Sequence, residues 1–141
     1  MKYFFASLRF FSLSIVPKKL KITLKNDVKN AQNSKEGVYI LDSELVNRKP
    51  YWYQLPGMNS IWWLDRSKQW SIGPTSNLGD YTCGLMSDAD VFLLPQEVTK
   101  WKYNKDMQWV GTTDLVIGNY VFSYFCGAGE LTHNTDQQYC Y

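Results

Sequence analysis

All six tryptophans of this 141-residue chain fall between Trp52 and Trp109, set among Tyr, Gly and Pro. Rings at this density either fill the core of a small β module or line a stacking surface. Turn signals recur every 8–12 residues around them, which is the spacing of short antiparallel strands. Val38–Leu41 and Tyr51–Leu55 read as strands, the second closed by Pro56-Gly57. Ile61–Leu64 and Gln69–Ile72 flank Asp65-Arg66-Ser67-Lys68, a four-residue hairpin tip. Tyr81–Met86, Trp101–Tyr103 and Gln108–Val110 continue the series, the last two around the polar tip Asn104–Met107. The expected fold is all-β: a small antiparallel meander, sandwich or barrel-like module with an N-terminal arm and an irregular C-terminal tail. Nothing carries the 3.6-residue apolar period of a long helix, outside the N-terminal segment.

Charge divides the chain. Residues 1–35 hold eight Lys/Arg against the single acid Asp27, whereas residues 36–141 hold seven basic and twelve acidic residues. The expected organisation is a basic arm over 1–35, a Trp-rich β module over 36–114, and a last strand with a tail over 115–141. Within the arm, Leu20–Leu24 alternates as an edge strand would, but the Asn/Lys/Gln/Ser run after it reads as a solvated linker. The first sixteen residues are apolar with Ser interleaved, and Arg9 splits them into pieces too short to span a bilayer. A degenerate signal or anchor, a transit segment and a plain arm all fit them. No transmembrane span is expected. The arm lacks the interleaved aromatics and arginines of a single-strand-binding tail, so no nucleic-acid partner is expected.

From Gly37 to Trp109 the residues carry a resemblance. The pattern comprises Gly37-Val38-Tyr39, Val46-Asn47-Arg48-Lys49-Pro50-Tyr51-Trp52, Asn59-Ser60-Ile61-Trp62 and Trp70-Ser71-Ile72-Gly73. Leu78-Gly79, Pro95-Gln96-Glu97 and Trp101-Lys102-Tyr103 with Trp109 complete it. This resembles a Trp-rich repeat module of large secreted or surface proteins of invertebrates and some protists. Arg48 stands where that pattern has Gly. The resemblance implies an extracellular or cell-surface setting beside adhesion-type modules, and a structural or binding role without catalytic residues. A cytoplasmic or mitochondrial setting is the alternative.

Candidate chemistry is sparse. Three cysteines, Cys83, Cys126 and Cys140, allow at most one intramolecular disulfide, Cys83–Cys126 or Cys83–Cys140 in an oxidising compartment; the alternative is three reduced thiols. No Cys-x-x-Cys occurs, and His133, the only histidine, sits in the tail, so no metal or cofactor is expected. No phosphate-cradling glycine loop occurs. Asp88 and Asp90 lack the rest of a calcium loop. A carbohydrate hydrolase would need two facing carboxylates, and Asp65, Asp80, Asp88, Asp90 and Glu97 offer no spacing that selects a pair.

The aromatics therefore carry the functional expectation. Tyr39, Trp52, Trp62, Trp70 and Trp101 are assigned to the core. Strand alternation sends Tyr51 and Tyr53 to one face and Trp52 to the other, and separates Trp62 from Trp63. Trp63 or Trp109, with Tyr51 or Tyr53, is expected to be left outside as a platform to bind a glycan or a protein partner. The expected function is a non-enzymatic interaction module. The alternatives are a purely structural repeat unit and, third, a small carbohydrate-active hydrolase.

Overall fold

The structure is a computed structural model, and it describes residues 15–88 and 93–120. The fold is all-β. Among the described residues nine strands run in chain order as β1 (Lys19–Leu24), β2 (Gly37–Val46), β3 (Lys49–Gln54), β4 (Asn59–Leu64), β5 (Gln69–Pro74), β6 (Leu85–Ser87), β7 (Trp101–Lys105), β8 (Gln108–Thr112) and β9 (Leu115–Asn119). A short helix α1 (Asn26–Gln32) and a 3-10 turn (Asn33–Lys35) join β1 to β2. All pairings are antiparallel in the order β8-β7-β6-β5-β4-β3-β2-β1-β9.

Strands β8 and β9 occupy the two edges of this sheet, yet only Thr113 and Asp114 separate them in sequence. Three Cα steps reach roughly 11 Å at most. The two edges must therefore meet at that corner, and the sheet curls into a nearly closed barrel. β8 and β9 behave as halves of one bent strand, the first paired to β7 and the second to β1.

The interior follows from the register. Leu41, Trp52, Ile61, Ile72, Leu85, Tyr103 and Val110 stand opposite one another from β2 to β8, forming one inward row. Leu20, Ile22 and Leu24 of β1 and Leu115 and Ile117 of β9 complete the wall. Trp70 packs edge-on against Trp52 and Trp63, with ring centres 5.9 and 5.2 Å away. Side chains fill small barrels of this kind. Each buried ring contributes on the order of 1.5–3 kcal/mol.

The ring N–H groups are satisfied at the barrel ends. Trp52 Nε1 donates to the Pro17 carbonyl and Trp70 Nε1 to the Leu93 carbonyl, at 2.8 and 3.0 Å. At the other end α1 and its 3-10 turn form a cap. Ser34 O accepts from Gln54 Nε2 and Asn59 Nδ2, and Asn104 O accepts from Gln32 Nε2.

Three sequence expectations change here. Residues 18–35 are not a linker: β1 lies between β2 and β9, and α1 buries Val28. The alternation of Leu20, Ile22 and Leu24 with Lys19 and Lys21 matches a wall strand, inside apolar and outside charged. The boundary expected at residue 115 also falls inside the barrel, because β9 pairs along β1 from Leu20 to Leu24. Finally, Tyr81–Met86 was expected to be a strand, and only Leu85–Ser87 is one. The first sixteen residues up to 14, and Asp90, Cys126, His133 and Cys140, lie outside the described residues.

Candidate functional site

The five rings assigned to the core, Tyr39, Trp52, Trp62, Trp70 and Trp101, are all buried. Trp62 lies on the outer face and is covered by the segment from Pro74 to Gly84. Its Nε1 donates to the Asp80 carbonyl at 3.0 Å, and Gly73 leaves room for Cys83, whose Cα would lie 2.9 Å from an added Cβ.

The structure separates the four candidate platform rings rather than gathering them. Trp63 is only 1% exposed, because it points into the barrel against Trp70. Its expected place in an exposed platform is thereby corrected: alternation puts Trp62 outward, and the covering loop protects that ring instead. The accessible side of Trp63 is further closed by the Lys49 ammonium, 4.9 Å from the ring centre. Tyr51 and Tyr53 are half-buried on the outer face of β3. Burial, then a hydrogen bond to Asp42, pushes the Tyr51 hydroxyl above its ordinary pKa. Trp109, 43% exposed, lies on β8, five strands away from β3 in the sheet order and across the barrel. A shared stacking surface of Trp109 with Tyr51 and Tyr53 is therefore not built.

Trp109 is the one exposed tryptophan, and it sits beside Met107, which is 92% exposed. Met107 and Asp106 both take positive φ, so β7 and β8 are joined by a two-residue turn of the hairpin type. The outer face beside Trp109 holds Asn104 across the hairpin, and Lys102 stands opposite Gly111. Asp88, Lys100, Lys102, Gly111 and Thr112 line an open cleft of about 380 Å³ there. Lys102 meets Asp88 at 3.7 Å.

A second polar cluster escaped the sequence reading. Asp27 Oδ2 accepts from Tyr103 Oη at 2.6 Å and from Lys105 Nζ at 2.8 Å. The Lys105 bond, then the Tyr103 bond, holds the Asp27 carboxyl below the usual range. Asn30, Ala31, Asn104 and Asp106 complete a shallow cleft of about 290 Å³ beside it. A carboxylate already accepting from a cation and a phenol is a poor proton acceptor, so this cluster fastens α1 to β7. No sequence signal joins residues 76 and 78 positions apart.

Of the carboxylates considered for hydrolysis, Asp65, Asp88 and Glu97 are engaged locally, and Asp90 lies outside the described residues. Asp65 accepts from Trp63 Nε1 and pairs with Arg48 and Lys68; Glu97 accepts from the Leu94 amide. Asp80 belongs to the loop over Trp62, and no hydrogen bond links any two of these groups among the described residues. Cys83 is a half-buried thiol pushed up to about 11 by burial, with Lys35 opposing the shift. No group of three or more metal-ligating side chains occurs among the described residues, and no described helix is long and apolar enough to cross a membrane. Compared with protein-family models, with curated proteins and with solved structures, the chain gives no match in any of the three.

Proposed function

We propose that this chain is a non-enzymatic interaction module, extracellular or surface-associated, that engages a protein or glycan partner through the exposed aromatic surface at Trp109. The supporting observation is the contrast between a barrel filled by side chains and one large ring left outside it. The interior has Trp52, Trp63, Trp70 and Trp101 packed in its core, whereas Trp109 stands open next to Met107. A module with a filled interior acts through its surface, and an exposed Trp is the residue type that most often anchors a contact. The extracellular setting is supported by the Trp-rich pattern from Gly37 to Trp109.

Acrylamide quenching of tryptophan fluorescence tests this reading. Five of the six rings are buried, so the quenchable emission belongs to Trp109. The reading expects one glycan or protein partner to relieve that quenching, and Trp109→Ala to abolish both the quenching and the response. Quenching of Trp109 that no partner changes would leave the second reading, a structural repeat unit packing against neighbouring domains. Burial of five of the six rings is the observation that favours it.

A further inference from the structure

Among the described residues the outer edge of β8 is open, and it has an internal match. In the β7–β8 hairpin, Lys105 and Gln108 close the two-residue turn and form a hydrogen-bonded pair, so such pairs recur at Tyr103↔Val110 and Trp101↔Thr112. The residues between them, Trp109 and Gly111, turn their N–H and C=O groups the other way. Asn104, opposite Trp109, shows the same alternation, since its N–H donates to the Gly84 carbonyl on the far side of β7. β8 ends the sheet, and among the described residues nothing bonds the outward groups of Trp109 and Gly111. The strand Gln-Trp-Val-Gly-Thr also lacks the charges and prolines that usually blunt an exposed edge.

Gly111 has no steric reason to be glycine. A Cβ built there meets nothing within 4 Å, and its φ is not in the left-handed region. On the outer face it leaves a vacancy two residues from the exposed Trp109 ring, and Lys102 lies just beyond it on β7.

We infer that β8 is a self-association edge: a second copy of this chain pairs with it antiparallel about a two-fold axis at Val110, seating Trp109 of each copy over Gly111 of the other. This register satisfies every outward backbone group of the two residues at once. It lays each indole in the other copy's glycine vacancy, with the other copy's Lys102 ammonium next in the same row. That places a cation against the electron-rich ring face, an electrostatic complement as well as a steric one. A foreign extended peptide would satisfy the same backbone groups, but the ring-to-vacancy match lies within this strand's own sequence and repeats under the two-fold. Like all two-fold contacts, it is self-closing.

The inference rests on the interaction-module reading and names the partner. Its test is sedimentation equilibrium of the full 141-residue chain between about 1 μM and about 1 mM, a range that covers weak edge pairing. The expected result is a monomer–dimer equilibrium in which acrylamide quenching of Trp109 falls as dimer forms. Gly111→Val, which nothing in the monomer opposes, should weaken dimerisation at least about tenfold while near-UV circular dichroism stays that of the parent. Trp109→Lys should abolish it. A monomer throughout the range, or a dimer indifferent to Gly111→Val, overturns self-association at β8. A monomer whose Trp109 is protected by an added glycan or protein overturns it too, yet leaves the interaction-module reading standing. A monomer whose quenching no partner changes removes both.

Discussion

At Arg48 a single residue works against its own backbone. Asn47 and Arg48 form the two-residue turn between β2 and β3 with φ of 51° and 67°, a region where Asn is tolerated and Arg is strained. Asn47 repays its position by donating from Nδ2 to the Trp63 carbonyl at 2.6 Å. Arg48 offers only an exposed ion pair with Asp65, a type that returns little. Arg48→Gly, the residue the Trp-rich pattern carries there, should therefore be neutral or stabilise the chain by up to about 1 kcal/mol in urea unfolding. A clear loss of stability would show that the ion pair matters more than the turn. Cys83 gives a second prediction at this scale. Burial holds its thiol protonated up to about 11, so its iodoacetamide labelling at pH 8, read on the Cys83 peptide by mass spectrometry, should be far slower in the native chain than in urea. Equal rates would mean that the loop from Pro74 to Gly84 opens readily. Gly73 tests the same loop from below: Gly73→Ala drives a Cβ into the Cys83 backbone and the Trp62 ring, and should cost about 1–3 kcal/mol.

Among the elements, β1 decides where the folding unit begins. It holds β2 on one side and β9 on the other, and its Leu20, Ile22 and Leu24 are buried in the core. A chain beginning at residue 36 would lose β1 and α1, strip β9 of its only partner strand among the described residues and uncover the end of the barrel. Such a chain should show no near-UV dichroism and a red-shifted tryptophan emission; native spectra would sink the idea that β1 belongs to the barrel. Much of the sheet was legible in the sequence, because β3, β4 and β5 carry dense apolar and aromatic runs bounded by Pro-Gly, Asp-Arg-Ser-Lys and Gly-Pro. β1 was obscured by its lysines: Lys19 and Lys21 point outward, and their charge suggested a solvated arm although the alternate positions formed a perfect wall. Local patterns also specify which face a ring takes but not what covers that face. Trp62 and Trp63 were rightly separated by alternation, yet only the tertiary path of residues 74–84 decides that the outward one is hidden. Trp109 was legible as one of the rings that could stand outside. The vacancy at Gly111 was not, since a glycine in a strand gives no sign of whether space or contact surrounds it.

Across the whole molecule, acids fasten the parts of the barrel that the sheet hydrogen bonds do not. Glu36 Oε2 accepts from the Leu24 amide at 2.8 Å, and Lys29 pairs with the same carboxylate, so α1 is tied to the end of β1. Asp27 ties α1 to β7, while Asp65 accepts from the Trp63 N–H and meets Arg48 of the β2–β3 turn and Lys68 of its own turn in exposed pairs. Each carboxyl is held below its ordinary value: Glu36 chiefly by the Leu24 amide, Asp27 chiefly by Lys105, and Asp65 chiefly by the Trp63 N–H. In the unfolded chain these groups return to ordinary values near 4.5 for Glu36 and 3.8 for the two aspartates. An acid whose folded value is depressed contributes stability that is fully present above its unfolded value and is lost as pH falls through the folded one. Stability should therefore hold level from neutrality down to about pH 5 as far as these groups are concerned, then decline modestly as pH falls through their lowered folded values, because the pairs are partly exposed and screened. Asp27→Asn isolates one of them. It keeps the shape but removes the charge that Lys105 and Tyr103 address, so its urea midpoint should lie below the parent's at pH 7 and converge with it as pH falls through the lowered folded value of the parent's Asp27, where that carboxyl becomes neutral too. Partial convergence in high salt at pH 7 should accompany this, because the pair with Lys105 is half exposed and screened. A gap that stays constant with pH would mean that Asp27 acts through the geometry of its hydrogen bonds, and that the clasp between α1 and β7 does not depend on charge.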